Sequence, residues 1–397
     1  MIEMKIGFFT DTYYPQINGV VTSTLILKEN LERLGHKVYV FTTTDAKEPQ
    51  GERDVYRIPS IPIVSEKRLG LFYQPRLIKI IKGLNLDIIH THTEFSLGIF
   101  GRMIANDLNI PLIHTYHTIY EDYTHYIVKF PKLDPLAKVA ARKISTNFCN
   151  STSRVVVPTT KVRDLLLSYG VKRDLTVIAT GINMNHLSAC QDYFHSRQRL
   201  RSSMGLKDGN KVILYVGRLS KEKNISELLI NLHEYLKMRT ELKFVLIGDG
   251  PETNDLKNLA NKLNLNEQVI FAGAKPWHSI MSYYHIGDVF VSASQSETQG
   301  ITYIEALASG LPIVVKSDPC LEGVVIEGVN GYTFNKKDEF VKTIDVVLYD
   351  EQQREKLSNG AVQSVEKFSS YHFAKNIEDL YINELFKSKS LLEASSI

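Results

Sequence analysis

Two glutamates eight positions apart, Glu297 and Glu305, lie on either side of a glycine, Gly300, in the stretch Ser294-Gln295-Ser296-Glu297-Thr298-Gln299-Gly300-Ile301-Thr302-Tyr303-Ile304-Glu305-Ala306. Glycine lets backbone approach a ligand closely, and the free N–H groups at the start of a helix attract an anion, typically a phosphate. Ile301 and Thr302 open such a helix, and Thr302 and Tyr303 add hydroxyls beside the anion position. The elements that must hold this stretch are legible on both sides. Asp288-Val289-Phe290-Val291-Ser292 reads as a buried parallel strand, and Ile301, Ile304, Leu307 and Ala308 repeat at helical spacing. Gly310 stops the helix, and Pro312-Ile313-Val314-Val315 reads as the next strand. A strand-to-helix crossing of this kind sits at the carboxyl end of an open α/β sheet, where such sheets bind ligands. Either carboxylate alone also reads as a solvated helix-end charge.

Two further groups carry chemistry. Arg218 and Lys223 follow the strand Lys211-Val212-Ile213-Leu214-Tyr215-Val216-Gly217, and two cations there can hold a diphosphate and stabilise it as it leaves. The segment from Ile113 to Tyr126 packs three histidines and four tyrosines into fourteen positions. His114, His117 and His125 are conceivable metal ligands, but their spacing fits no common zinc pattern. A polar, aromatic, sugar-binding wall suits the composition better. His90 and His92 read as core or supporting residues. No D-x-D sequence occurs, so no motif requires a metal-bridged diphosphate; Mg²⁺ remains possible.

At 397 residues the chain predicts two domains. It is 43% apolar and 23% charged, has no run of eighteen apolar residues and opens without a signal-peptide pattern, so a cytoplasmic location is expected. Cys149, Cys190 and Cys320 make neither a disulfide framework nor a zinc site. Strands at Met4–Thr10, Val38–Phe41, Asp87–His90, Pro111–His114 and Arg154–Pro158 alternate with helices, which predicts a doubly wound parallel sheet. The first turn, through Pro15 and Asn18-Gly19, lacks G-x-G-x-x-G, although Gly19 can still admit a diphosphate. A hinge is expected near Thr180-Gly181-Ile182-Asn183, and a second α/β unit restarts at Lys211. The expected domains are 1–182, 183–375, and a helix and tail over 376–397 that crosses back to the first.

Taken together, Pro15…Asn18-Gly19-Val20, Gly217-Arg218…Lys223, Gly248-Asp249-Gly250-Pro251, Glu297…Gly300…Glu305 and Asn330-Gly331-Tyr332 resemble glycosyltransferase family 4, whose fold is termed GT-B. The Glu297–Glu305 spacing resembles the E-x7-E motif of its retaining members. The resemblance implies α/β architecture, with two Rossmann-like doubly wound domains facing a central cleft. Glu94-Phe95-Ser96-Leu97-Gly98 and the His117–Tyr126 segment look like bacterial enzymes that glucosylate diacylglycerol from UDP-glucose. Carried over, Glu297 and His117 contact the transferred sugar, Glu305 the ribose, and Arg218 and Lys223 the diphosphate. Gly19, Gly300, Ile301 and Thr302 complete the donor site. Gln299 departs from the Phe that many relatives carry there.

The expected activity is retaining transfer of glucose from UDP-glucose to the 3-hydroxyl of 1,2-diacylglycerol at the cytoplasmic membrane face, with no tightly bound cofactor and no nucleic-acid partner. Alternatives are a family member with another lipid or soluble acceptor, a UDP-sugar 2-epimerase, or a nucleotide-sugar-binding protein without turnover. Residues 1–180 carry 23 Lys+Arg against 17 Asp+Glu, a net +6, which suits an anionic membrane partner. The expected membrane residues are Lys67, Arg68, Arg76, Lys79 and Lys82, beside a helical stripe of Leu77, Ile80, Ile81 and Leu84. A second helix, with Asp134 as N-cap, is expected to set Leu136, Ala140 and Ile144 beside Lys138, Arg142 and Lys143.

Overall fold

The computed structural model describes residues 3–395 except 17, 65–66, 72–74, 125–130, 184–192 and 277–278. The chain divides into two compact units, one of Met1–Gly181 with Ser370–Ile397, the other of Ile182–Ser369.

In the first unit, short apolar runs make a parallel sheet from β1 (Lys5–Phe9), β2 (Lys37–Thr43), β3 (Val55–Ile58), β6 (Ile88–Thr91), β7 (Leu112–Thr115), β8 (Arg154–Val157) and β9 (Leu175–Val177). A separate antiparallel pair, β4 (Ser60–Val64) and β5 (Lys67–Gly70), lies between β3 and β6 in the chain. The order is β3-β2-β1-β6-β7-β8-β9, so strand order reverses between β1 and β6. Helices α1 (Gly19–Arg33), α2 (Pro75–Leu84), α3 (Ser96–Leu108), α4 (Asp134–Asn150) and α5 (Thr160–Ser168) form the connections. Asn18 starts α1 by accepting a hydrogen bond from the Val21 N–H, which satisfies one of the donors a helix start leaves open.

The second unit repeats the scheme. Its strands β10 (Lys211–Val216), β11 (Leu242–Ile247), β12 (Val269–Gly273), β13 (Val289–Ser292), β14 (Ile313–Lys316) and β15 (Gly331–Phe334) run parallel in the order β12-β11-β10-β13-β14-β15. The reversal here lies between β10 and β13. Helices α6 (Tyr193–Ser203), α7 (Ile225–Met238), α8 (Thr253–Lys262), α9 (Ile280–Tyr284), α10 (Ile301–Ala308), α11 (Lys337–Tyr349) and α12 (Glu351–Ser364) accompany it. Its core is drawn from strands and helices alike, with Ile213, Phe244, Val291, Leu228 and Phe340 all inaccessible. Each buried strand is apolar because both faces are covered.

The last helix, α13 (Ser370–Ser395), belongs to the first unit. Phe373, Ala374, Ile377, Leu380 and Tyr381 are buried at helical spacing, and the helix packs on α1. Polar ties flank that stripe: His36 Nε2 lies 3.0 Å from Glu378 Oε1, and Arg154 donates to Glu384 at 2.9 Å.

Two surface expectations change. Leu77 and Ile81, four apart and hence on one face of α2, are buried, and Leu84 packs on the same core. Only Ile80 of the expected stripe is exposed, beside exposed Arg76 and Lys79. The stripe thus anchors α2 to its sheet. On α4 the opposite holds: Leu136, Val139 and Ile144 are exposed with Arg142 and Lys143, while Ser145, Phe148 and Cys149 face the core. Asp134 is the first residue of that helix rather than its cap, and its carboxylate accepts from Thr124 Oγ1 at 2.5 Å.

Candidate active site

In the second unit, neighbouring strands β10 and β13 flank the reversal, and the loops leaving their carboxyl ends carry Arg218, Lys223, Glu297 and Gly300. At such a reversal adjacent connections leave in opposite directions and open a crevice. Gly300 caps α10 at φ 73°, where a Cβ would stand 2.4 Å from the Tyr303 ring. Both the backbone angle and the space therefore demand glycine. The Tyr303 N–H turns back to the Gly300 carbonyl at 2.9 Å, and Ile301 and Thr302 are the next residues whose N–H groups open the helix.

Glu297 does not stand alone. Its Oε1 accepts from Lys223 Nζ at 2.6 Å, with the two side chains 15% and 19% exposed. Lys223 ends a 3₁₀ turn (Lys221–Lys223), so the second expected phosphate cation is the counter-ion of the catalytic-candidate glutamate. Arg218 is exposed. Its loop is braced from beneath: the Tyr215 hydroxyl donates to the Arg218 carbonyl at 3.1 Å, and the Leu219 N–H donates to the Asp249 carbonyl at 3.0 Å. At Gly248 a Cβ would fall 1.8 Å from the Gly217 carbonyl oxygen, so the Gly248-Asp249-Gly250 segment is glycine-rich for contact with the Arg218 loop.

Glu305, inside α10, accepts from the Tyr284 hydroxyl at 2.7 Å. Burial pushes its carboxyl up to about 7, against the lowering effect of the Tyr284 hydrogen bond. Thr302 is partly exposed in the preceding turn.

In the first unit the corresponding strand ends belong to β1, β6 and β7. Gly19 is the exposed first residue of α1. His117 follows β7, partly buried, with its Nε2 3.1 Å from His92 Nδ1; burial drives its pKa down to about 3. His114 is inaccessible, contacting Thr91 at 2.9 Å and Glu94 at 3.3 Å, and so serves the core. His125, the third of the conceivable metal ligands, lies outside the described residues.

Sequence reasoning passed over Asp11. It is buried at the end of β1 and accepts from Thr93 Oγ1 at 2.6 Å, from Ser96 Oγ, and from the Leu97 N–H at 3.1 Å. It thereby ties β1 to the first turn of α3, where a carboxylate suits the helix dipole. An aspartate directly after a buried strand was the available signal. Glu94, of the Glu94–Gly98 motif, takes His114 on one oxygen and the Tyr120 hydroxyl on the other.

A model of the "Glycosyltransferase Family 4" type matches residues 17–186, and one of "Glycosyl transferases group 1" matches residues 196–364. Over 391 residues the chain is 38% identical to an alpha-monoglucosyldiacylglycerol synthase of Streptococcus pneumoniae, covering 97% of this chain and 87% of that one. A synthase of the same name from Acholeplasma laidlawii is 36% identical, covering 98% and 99%. The chain belongs to glycosyltransferase family 4. Solved structures agree on the GT-B fold: a sucrose-phosphate synthase of Thermosynechococcus elongatus has a TM-score of 0.79 at 21% identity, with 97% of this chain and all of that one covered. Anabaena HepE, solved with UDP-glucose, has a TM-score of 0.77 at 19% identity, with 96% and 100% covered.

Proposed function

We propose that the protein is a retaining glucosyltransferase that moves glucose from UDP-glucose to the 3-hydroxyl of 1,2-diacylglycerol, yielding monoglucosyldiacylglycerol at the cytoplasmic membrane face. The observation that carries this reading is the near full-length likeness to two alpha-monoglucosyldiacylglycerol synthases at 36–38% identity. In this reading Glu297 accepts from hydroxyls of the glucose, Glu305 accepts from the ribose diol, and Arg218, Lys223 and the start of α10 face the diphosphate. Gly19 and His117 serve from the first unit. The glucose–phosphate bond breaks as the acceptor oxygen bonds to the same face of the sugar carbon. The acceptor proton passes to the departing phosphate oxygen, so no side chain need form a covalent bond. Positioning and stabilisation of the leaving diphosphate supply the rate.

Docking on anionic lipid is assigned to the first unit, through Lys67, Arg68, Arg76, Lys79 and Lys82 with the exposed face of α4. Lys82 already pairs with Asp107 at 2.6 Å, both half exposed, and contributes least. The test of the whole reading is UDP release from UDP-glucose with and without diacylglycerol vesicles, followed by product analysis. Release only with the lipid, and a product carrying α-glucose, is expected. Release without acceptor, or conversion of the UDP-sugar into an isomer, overturns the reading.

A further inference from the structure

Three histidine rings stack where β6 and β7 end: His90 and His92 at 4.3 Å between centroids, His92 and His117 at 5.4 Å, each pair inclined by 28°. His92 is 2% exposed, and Phe8 sets its ring edge-on against it at 4.8 Å. One nitrogen of His92, Nδ1, lies 3.1 Å from His117 Nε2; the other, Nε2, is buried without a hydrogen-bond partner among the described residues. Burial holds both rings neutral, so a single N–H lies between them.

Only two arrangements are available. If His117 donates from Nε2, then His92 Nδ1 is bare and the His92 proton sits on Nε2, a buried N–H with no acceptor. If His92 donates from Nδ1, its Nε2 is merely an unpaired acceptor. Orphaned buried N–H groups are the rarer of the two in folded proteins. His90 does not disturb the choice, because its nitrogens meet the Tyr381 and Thr115 hydroxyls at 2.5 and 2.7 Å, and a hydroxyl can donate or accept.

We infer that His92 is a positioning residue that fixes His117 in the Nδ1–H tautomer, so that His117 meets the transferred hexose as a hydrogen-bond donor to one of its oxygens and not as a proton acceptor. The substrate half of this statement rests on the reading in which His117 contacts the sugar. It agrees with a reaction in which the departing phosphate takes the acceptor proton, because His117 then has no bare nitrogen turned to the substrate.

The test uses the full chain. With ¹⁵N-labelled histidine, and the His117 signals identified by their loss in His117→Gln, NMR at neutral pH is expected to show the His117 proton on Nδ1. A proton on Nε2 overturns the inference whatever the activity. Kinetics provide the second readout. His92→Asn places an amide N–H near the former Nδ1 and is expected to retain most of kcat. His92→Phe is expected to lose about tenfold or more, the size of one displaced buried hydrogen bond. Equal impairment of the two variants at equal melting temperature overturns the positioning role. Wild-type turnover by His117→Gln removes the sugar contact, and the NMR result then decides the tautomer by itself.

Discussion

Lys223 and Glu297 are each other's counter-ion at 2.6 Å, so a charge change at either is felt by both. Glu297→Gln keeps the shape and loses the charge that holds Lys223. Because both side chains lie in loops and are partly exposed, the melting temperature is expected to stay near wild type. Turnover should fall by about a hundredfold to a thousandfold, the scale of losing a preorganised polar contact at a reacting centre. A wild-type rate would remove Glu297 from the site. Glu305 offers a pH test. Its carboxyl, raised to about 7, keeps its proton where an ordinary glutamate has lost it. In the proposed role of Glu305 as acceptor for the ribose diol, its charged form therefore appears only as pH climbs through 7. The donor KM should fall several-fold between about pH 6 and about pH 8, and Glu305→Gln should flatten that dependence at a high KM. An unchanged pH profile in Glu305→Gln would exclude Glu305 as its source.

At the level of elements, α2 and α4 look alike as sequences and differ in what they turn outward. Leu77 and Ile81 hold α2 to its sheet, so in the proposed membrane dock its contribution is charge, through Arg76 and Lys79. Exposed Leu136, Val139 and Ile144 give α4 an apolar contribution as well. Each Lys or Arg near an anionic surface is worth roughly 1 kcal/mol. Neutralising Lys67, Arg68, Arg76 and Lys79 should weaken co-sedimentation with anionic vesicles and abolish much of its salt dependence. Changing Leu136 and Ile144 to Asn should lower vesicle binding with little loss of thermal stability, since neither residue is in the core. Binding indifferent to both sets of changes would rule this face out. Leu77→Asn serves as the contrast, because it should cost folding stability before it costs lipid binding.

Over the whole molecule, the first unit is closed by α13, which supplies Phe373, Ile377, Leu380 and Tyr381 to a core begun at residue 4. Removing residues 370–397 should therefore expose the apolar face of α1 and leave a chain that binds hydrophobic dye and aggregates. A truncated protein that melts like the full chain would contradict this. The same unit holds His90, His92 and His117 neutral by burial, with pKa values below the ordinary 6.5. The unfolded chain then binds more protons than the folded one at mildly acid pH. The stability these histidines permit is complete above about 6.5 and declines as pH drops towards their folded values. The melting temperature should decrease between about pH 7 and about pH 5, and less steeply in His92→Asn. An equal decrease in that variant would assign the acid lability to other groups.

The alternation of β-branched runs with helical spacing was enough to predict two parallel α/β sheets, because strands covered on both faces must be apolar throughout. The Glu297–Gly300–Glu305 stretch was legible for a local reason: glycine, helix start and carboxylates are neighbours in the chain. The short β4–β5 pair and β9 were not, since three to five residues carry little periodicity, and Pro, Lys and Arg interrupt β4 and β5 besides. Pairings between distant residues were also out of reach. Lys223 with Glu297, Tyr284 with Glu305, His92 with His117 and Asp11 with the start of α3 each join segments that only the tertiary fold makes adjacent. The direction of an amphipathic face was likewise undecided by spacing. Periodicity tells which residues of α2 and α4 share a side, but only packing decides that the α2 stripe is buried and that of α4 is exposed, because burial is settled by what the rest of the chain brings against it.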